Sequence, residues 1–226
     1  DEALLFIAAG FASITVASPL IAPCKLDRLL AAAQGQGTDL RVLADSRAGC
    51  EALASAAERQ RLRTGVFLKV DVGLHRCGLR EKDPDLIPMA RSLHEARWLD
   101  FRGLLSHAGH AYGAGSPGGV RAVAAEERAI MLRVRERLST VGIPVAEISV
   151  GSTPTALASD TYEGITEMRP GTYVFLDRAG LRMGLIRPED VALTVVATVV
   201  SRNADYLIVD AGSKVLSSDS GAQDRG

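Results

Sequence analysis

The sequence is poor in cysteine and has no long apolar run. It contains 3 cysteines among 226 residues, and their wide spacing fits neither a disulfide framework nor a set of zinc ligands. Its longest apolar runs, such as residues 4–9 and 195–200, fall far short of the roughly 20 residues that a membrane-spanning helix requires. These absences predict a protein of the reducing cytoplasm without a membrane segment.

The chain also lacks a dominant sign of charge and the common nucleotide and hydrolase motifs. Its formal net charge is -1 and its lysines and arginines are scattered, which argues against a nucleic-acid or membrane-surface binder. No Gly-x-Gly-x-x-Gly, P-loop or Gly-x-Ser-x-Gly motif occurs. Because 47% of the residues are hydrophobic, the chain can bury a large core, and we expect it to act on a small molecule.

Short β-branched runs alternate with helical patterns along most of the chain. Apolar residues recur at helical spacing in residues 26–30, 52–57, 86–93 and 120–138. This alternation predicts a parallel sheet with helical crossovers, either an open doubly wound sheet or a (β/α)8 TIM-type barrel, and the placement of polar groups favours the barrel. The six predicted strands are residues 13–17, 40–44, 66–72, 101–106, 147–150 and 164–168.

A change of pattern predicts a domain boundary near residue 189. Residues 191–201 and 205–210 are typical of two consecutive strands of a hairpin. We therefore expect a barrel domain in residues 1–188 and the start of a β-rich domain in residues 189–226. Since the chain begins with Asp1 rather than Met and ends in a small polar tail, we expect an internal fragment, incomplete at the N-terminus of its barrel, with any targeting signal outside it.

The third predicted strand, which leads into the sequence Gly-Leu-His-Arg-Cys-Gly, carries unusual charge. Alternation places Lys69, Asp71 and Gly73 on one face, opposite an apolar face, and the glycine turn presents Arg76. A charge removed from water costs several kcal/mol unless it finds a partner, so a polar face on a buried strand suits the mouth of a barrel. The alternative is a structural Lys-Asp pair.

Two later loops have the composition of a phosphate cradle. One is Gly-Ser-Thr-Pro-Thr at residues 151–155, and the other is Arg-Pro-Gly-Thr-Tyr at residues 169–173. Glycine lets backbone N–H groups approach an anion and hydroxyls add donors, so the two loops together could hold a phosphate. Taken singly, the first is typical of a helix N-cap and the second of a turn at the end of a strand.

Two histidines follow the fourth predicted strand. His107 continues the face of Gly103 and Leu105, from which an imidazole could lie flat against an aromatic cofactor, whereas His110 precedes a glycine-rich loop at residues 113–119. Two histidines three apart could also bind a metal, but the sequence offers no third ligand nearby. Ring stacking or proton relay is the preferred interpretation for His107.

Four motifs in order resemble one family. Lys-Val-Asp-Val-Gly-Leu-His-Arg-Cys-Gly, Ser-His-Ala-Gly-His-Ala-Tyr, Ser-Val-Gly-Ser-Thr-Pro-Thr and Glu-Met-Arg-Pro-Gly-Thr-Tyr-Val-Phe resemble the D-threonine aldolase and D-serine dehydratase family. This family is similar to alanine racemase in its barrel and uses pyridoxal 5'-phosphate. Residues 191–220, with Val-Asp-Ala-Gly-Ser-Lys, resemble the start of that family's C-terminal β domain.

The resemblance implies a role for each matching residue. Arg76 would bind the phenolic oxygen of the cofactor, His107 would stack on the pyridine ring, Tyr112 would lie near the ring nitrogen, and Lys69, which matches a lysine carbamylated in some alanine racemases, would orient Arg76. The remaining implied cofactor-binding residues surround the phosphate and are Gly151, Ser152, Thr153, Arg169, Gly171, Thr172 and Tyr173.

The family's covalent lysine and its metal ligands match no residue of this sequence. Lys25 and Lys82 have the pattern of surface residues, and Lys214 falls in the β-domain motif. We therefore expect the cofactor lysine and the ligands of a divalent metal outside the fragment, and none of the metal ligands within it.

The implied activity is that of a lyase acting on D-β-hydroxy amino acids. We expect cleavage of the D-threonine aldolase type, giving glycine and an aldehyde; D-serine dehydratase is the alternative, followed by an alanine racemase-like enzyme or a cofactor-binding barrel without turnover. The expected partner is a small D-amino acid, with neither nucleic acid nor membrane, and a homodimer is compatible with the resemblance.

Overall fold

The computed structural model describes residues 1–212 and 215–216, and within them the main sheet is parallel. Its strands follow the order β1-β2-β3-β5-β6-β7, and β4 pairs with the end of β3. A separate antiparallel pair, β8 and β9, follows. The strands are β1 Ser13–Thr15, β2 Asp39–Ala44, β3 Thr64–Asp71, β4 Leu79–Arg80, β5 Leu99–Leu105, β6 Glu147–Val150, β7 Glu167–Met168, β8 Val199–Arg202 and β9 Leu207–Val209.

Helices connect the strands of the main sheet as crossovers, as a parallel sheet requires. Short 3₁₀ helices supplement them, at Gly109–Gly113, Thr172–Val174 and Pro188–Asp190. The α-helices are α1 Glu2–Ala8, α2 Pro23–Gln36, α3 Arg47–Gln60, α4 Leu86–Glu95, α5 Pro117–Ser139, α6 Thr153–Ala158 and α7 Arg178–Arg182. None of the helices in the described part of the chain is both long and apolar enough to cross a membrane.

The side chains on the two faces of β3 pack into two different cores. Leu68 and Val70 belong to the main core, which lies between the sheet and the helices. Phe67 belongs to a second, smaller core with Leu43 and Leu105 on the opposite face. Because side chains alternate along a strand, the second face carries Lys69 beyond Phe67, as the sequence predicts.

Ion pairs across the second face show that the sheet is curled. Arg41 Nη1 on β2 lies 3.4 Å from a carboxylate oxygen of Glu147 on β6 and 3.5 Å from one of Glu167 on β7. Arg102 on β5 joins Asp39 at 3.2 Å and Glu147 at 3.5 Å. These contacts would not form across a flat sheet, because β3 and β5 lie between β2 and β6. The architecture is a curled half-barrel with a charged layer at the amino ends of its strands.

The predicted fold class is confirmed, with differences in detail. β7 is shorter than predicted and β4 was missed, since a two-residue bridge has no periodic signal. Residues 191–198 form no strand, so the predicted strand at residues 191–201 was wrong over most of its length; the hairpin itself forms at β8 and β9. The glycine-rich loop is shorter than expected because Ser116 caps α5, which starts at Pro117. Lys214 and the tail from Ser217 lie outside the described residues.

Gly103 is a position in the sheet where a side chain cannot be accommodated. Its φ is +146°, and an added Cβ would lie 2.0 Å from the carbonyl oxygen of Glu147. We expect Gly103→Ala to lower the free energy of unfolding by at least about 2 kcal/mol, from backbone strain and overpacking, measured by urea denaturation.

Gly35→Ala is the matched control for this prediction. Gly35 lies inside α2 with no atom within 4 Å of an added Cβ, so the change should stabilise the protein by about 0.5 to 1 kcal/mol. Equal effects of the two substitutions would contradict the close approach of β5 to β6.

Candidate active site at the carboxyl ends of the strands

Lys69 is a buried cation near the end of β3. It is 3% exposed, and its Nζ has no hydrogen-bond partner within the described residues. Burial, followed by repulsion from Arg169, lowers the pKa of Lys69 to about 8, and Arg76 acts in the same direction. Lys69 is therefore both removed from water and close to two arginines.

Asp71 shapes the turn that follows Lys69. Its carboxylate accepts the backbone N–H groups of Gly73 at 3.1 Å and His75 at 3.0 Å, and it lies 2.7 Å from Nδ1 of His75. Burial opposes ionisation of Asp71, but the hydrogen bonds from His75 and Gly73 outweigh it and lower its pKa. The partner of Asp71 is thus His75, and the structural Lys-Asp pair considered from the sequence does not form.

His107 follows β5 and is fixed by one strong contact. Its Nδ1 lies 2.6 Å from the carbonyl oxygen of Gly151, in the loop after β6. A carbonyl only accepts, so Nδ1 carries the hydrogen and a neutral His107 keeps a free lone pair on Nε2. Burial lowers the pKa of His107, and the cations Arg76 and Lys69 add to this effect, so the neutral ring is favoured.

The three residues predicted as catalytic, Lys69, Arg76 and His107, come together. They line one narrow cavity with almost no free volume, and the other lining residues are Val70, Asp71, Leu74 and Cys77. His110, in contrast, packs with its ring about 3.1 Å from where a Cβ of Gly73 would lie. No group of three His, Cys, Asp or Glu side chains among the residues described is placed to hold a metal ion.

Arg169 is part of the barrel interior. Its guanidinium donates to Ser149 Oγ at 2.7 Å, to the Ser149 carbonyl at 3.4 Å and to the Ser106 carbonyl. Burial lowers the pKa of Arg169, and Glu167 opposes that shift. The Arg169 side chain thus reaches from the end of β7 to the ends of β5 and β6. Because its guanidinium N–H groups already donate to Ser106 and Ser149, the predicted contact with the cofactor would have to use the same N–H groups.

The two predicted phosphate loops touch each other. The N–H of Thr172 donates to Oγ1 of Thr153 at 2.9 Å. Ser152 is the N-cap of α6, where its hydroxyl accepts from the N–H of Thr155 in a capping box. The Thr153 hydroxyl accepts in its contact with Thr172 and keeps its own hydrogen to donate to an anion, whereas the N–H of Ser152 already donates to Oγ1 of Thr155 at 3.1 Å.

The other residues of these loops differ in how much space surrounds them. Gly151 has a φ of +131°, and an added Cβ would lie 2.9 Å from the backbone nitrogen of Arg169. Gly171 faces open space, and Tyr173 is 58% exposed. Tyr112 lines a second small cavity with Thr153 and Thr172, on the side of the phosphate loops.

Glu127 on α5 was missed from the sequence. It is 2% exposed, and its Oε1 accepts the hydroxyl of Ser106 at 2.6 Å and the N–H of Gly151 at 3.3 Å. Its neighbours in sequence, Glu126 and Arg128, suggest a solvated face. The helical spacing of Glu127 could have revealed that it is buried, because it falls in line with the apolar residues of the buried stripe of α5. That stripe consists of Val120, Ala124, Glu127, Met131, Val134 and Leu138.

A cavity with a volume of about 660 Å³ lies elsewhere, between α1, β1 and α2. Its charged lining residues are Asp1, Glu2, Lys25 and Arg28, which do not include the buried titratable groups described above. Among the described residues β1 pairs only with β2, so this cavity is the space beside the unpaired edge of the sheet.

The buried Lys69 makes stability depend on pH. Its pKa is about 8 in the folded protein against 10.5 in the unfolded chain. The cost of burying its charge is fully present below pH 8 and disappears as the pH rises to 10.5, because over that range only the unfolded chain holds the proton. Relative to Lys69→Met, the wild type should gain about 3 kcal/mol of unfolding free energy over this range, measured by urea denaturation.

Lys25→Met, at an exposed position on α2, reports the generic effect of removing a lysine. Parallel pH dependences of the wild type and Lys69→Met would contradict the burial of a charged Lys69.

Comparison with known proteins gives a consistent set of relatives. D-threo-3-hydroxyaspartate dehydratase of Delftia sp. (strain HT23) is 39% identical over 97% of this chain and 58% of its own length. D-serine dehydratase of Dictyostelium discoideum is 35% identical over 69% of this chain and 42% of its own. D-threonine aldolase of Arthrobacter sp is 28% identical over 98% of this chain and 58% of its own length.

Solved structures agree with the sequence matches. The Delftia dehydratase has a TM-score of 0.88 over 97% of this chain and 58% of that chain, with 39% identity. A mutant of it in a metal-free form gives the same values. The chain thus spans about 58% of the length of this relative. Residues 1–179 match the family described as alanine racemase, N-terminal domain, and the chain belongs to that family.

Proposed function

We propose that the protein containing this chain is a pyridoxal 5'-phosphate-dependent lyase that eliminates water from D-β-hydroxy amino acids, whose enamine product takes up water again to give a 2-oxo acid and ammonia. The observation that carries this proposal is the convergence of Lys69, Arg76 and His107 on one cavity at the carboxyl ends of β3 and β5. Catalytic groups of barrel enzymes gather at this end of the strands. The relatives supply the substrate class.

The donor set fits the cofactor, which has one aromatic ring and two anionic groups. Arg76, which is always charged, would hold the phenolic oxygen. His107 is fixed by its bond to Gly151 and is neutral, so its flat face can stack on an electron-poor ring without bringing a second positive charge. The two arginines whose repulsion acts on Lys69, Arg169 and Arg76, also favour an anionic ligand.

The phosphate would lie at the paired loops after β6 and β7. Thr153 would donate its hydroxyl hydrogen, while Gly151 and Ser152, whose N–H groups bind Glu127 and Thr155, would shape the loop around the phosphate. Gly171, Thr172 and Tyr173 would complete the cradle, with open space at Gly171 for a ligand oxygen. Tyr112 lies beside these loops, and Arg169 would act by holding β5, β6 and β7 together.

Once bound, the cofactor withdraws electron density from Cα of the amino acid. The chain's part is to bind and orient it. Lys69 as an ammonium cannot accept a hydrogen bond from Arg76, so its predicted role of orienting Arg76 requires the neutral amine or the carbamate oxygens of a carbamylated lysine. The covalent lysine and the ligands of a divalent metal would come from the rest of the protein, as the metal-free form of the Delftia relative suggests.

Two observations bear on the choice between dehydratase and aldolase. The relatives at 39% and 35% identity are named dehydratases, which favours dehydration. The aldolase, preferred from the sequence, remains the second candidate because a D-threonine aldolase matches 98% of the chain at 28% identity. A homodimer and a cytoplasmic location remain predictions.

Product analysis of the full-length protein separates these activities. With pyridoxal phosphate and a divalent metal, we expect D-threonine to give 2-oxobutyrate and ammonia, and D-threo-3-hydroxyaspartate to give oxaloacetate and ammonia. An aldolase would instead give glycine with acetaldehyde or glyoxylate. The L-enantiomers are the control. Absence of all these products would overturn the lyase proposal.

Arg76→Ala should abolish most turnover with little effect on folding. Arg76 is exposed, so we expect a change within about 0.5 kcal/mol in stability. We expect kcat to fall by about 100-fold or more if the guanidinium holds the reacting ring system. Steady-state kinetics and urea denaturation provide the two readouts, and Arg80→Ala, another exposed arginine nearby, is the matched control. An unchanged kcat in Arg76→Ala would refute the role of Arg76.

A further inference from the structure

Glu127 is a buried carboxylate in contact with the ends of two barrel strands, and the proposed chemistry does not use it. It projects from the buried stripe of α5 and is 2% exposed. A carboxylate at such a position costs several kcal/mol unless hydrogen bonds and opposite charge compensate it. A helix that needed only packing would place an apolar side chain there, between Ala124 and Met131.

The compensation comes from the site itself. Oε1 of Glu127 accepts the Ser106 hydroxyl at 2.6 Å and the Gly151 N–H at 3.3 Å. Ser106 is the residue immediately before His107, and Gly151 is the residue whose carbonyl binds His107. Lys69 and Arg169 provide opposite charge, since Glu127 acts to raise the pKa of each.

The Gly151 residue transmits this contact to His107. Its N–H points to Glu127 and its carbonyl oxygen accepts Nδ1–H of His107 at 2.6 Å. A φ of +131° is accessible to glycine, so Gly151 alone does not determine where its carbonyl points. A fixed acceptor for its N–H holds the preceding peptide plane and thereby restricts rotation about φ, one of the two angles that direct the carbonyl.

We propose that Glu127 is a positioning residue that holds the Gly151 backbone and thereby fixes the ring orientation and the Nδ1–H tautomer of His107. Its catalytic consequence rests on the proposed function, whereas the tautomer does not. With the tautomer fixed, Nε2 is the unprotonated nitrogen of the ring.

The test measures the tautomer of His107 directly. In cofactor-free full-length protein labelled with ¹⁵N-histidine, the wild type should show Nδ1 protonated and Nε2 unprotonated, with His107→Gln identifying the signals. Glu127→Met, which keeps volume but accepts no hydrogen bond, should give a mixture of tautomers. Glu127→Gln retains Oε1, which makes both bonds, and should restore the single tautomer.

Two further variants keep the test decisive. Glu127→Asp keeps the charge but withdraws the oxygen by one methylene, so it should also give a mixture, and it replaces Glu127→Met if that variant does not fold. Met131→Ala removes core volume one turn away, and it should lower stability while leaving the tautomer unchanged.

Activity provides a second readout if the protein is a lyase. A misplaced ring should lower kcat by about 10-fold to 100-fold in Glu127→Met while the KM for the amino acid changes little. A single Nδ1–H tautomer in both Glu127→Met and Glu127→Asp would overturn the proposal, as would loss of the tautomer in Glu127→Gln. Failure of the lyase proposal alone would abolish turnover in the wild type and leave the tautomer result intact.

Discussion

The alternation of side chains along parallel strands divides the concave face of the sheet into three layers. At the amino ends, Arg41 and Arg102 pair with acids of β2, β5 and β6. Leu43, Phe67 and Leu105 form an apolar layer above them. The carboxyl ends carry Lys69 and His107. The apolar layer keeps the two charged layers apart, so the cations of the upper layer do not find partners among the acids of the lower one, apart from Glu167, which lies beside Arg169.

Arg169 and Glu127 hold this upper layer from opposite sides. Arg169 reaches the Ser106 and Ser149 carbonyls from inside the barrel, and Glu127 reaches Ser106 and Gly151 from the helical layer outside. Each binds backbone or hydroxyl groups close to His107. The ends of β5 and β6 are thus fixed by side chains as well as by the sheet, which suits a site whose reacting groups must keep a precise geometry.

Local patterns in the sequence predict the features that depend on neighbouring residues. The polar face of β3, the position of His107 at the end of β5 and the two loops after β6 and β7 all follow from alternation and composition. Contacts between distant residues could not be predicted in this way. The pairing of Asp71 with His75 depends on the positive φ of His75, and the bonds of Glu127 join residues more than 20 positions apart. The stripe spacing of α5 shows that Glu127 is buried, but it does not identify its partners.

The hydrogen bond between Thr172 and Thr153 affects how tightly an anion would be held. It ties the loop after β7 to the first turn of α6 before any ligand arrives. The conformational entropy of ordering the two loops is therefore lost during folding rather than during binding. A ligand bound there would keep most of its interaction energy as affinity.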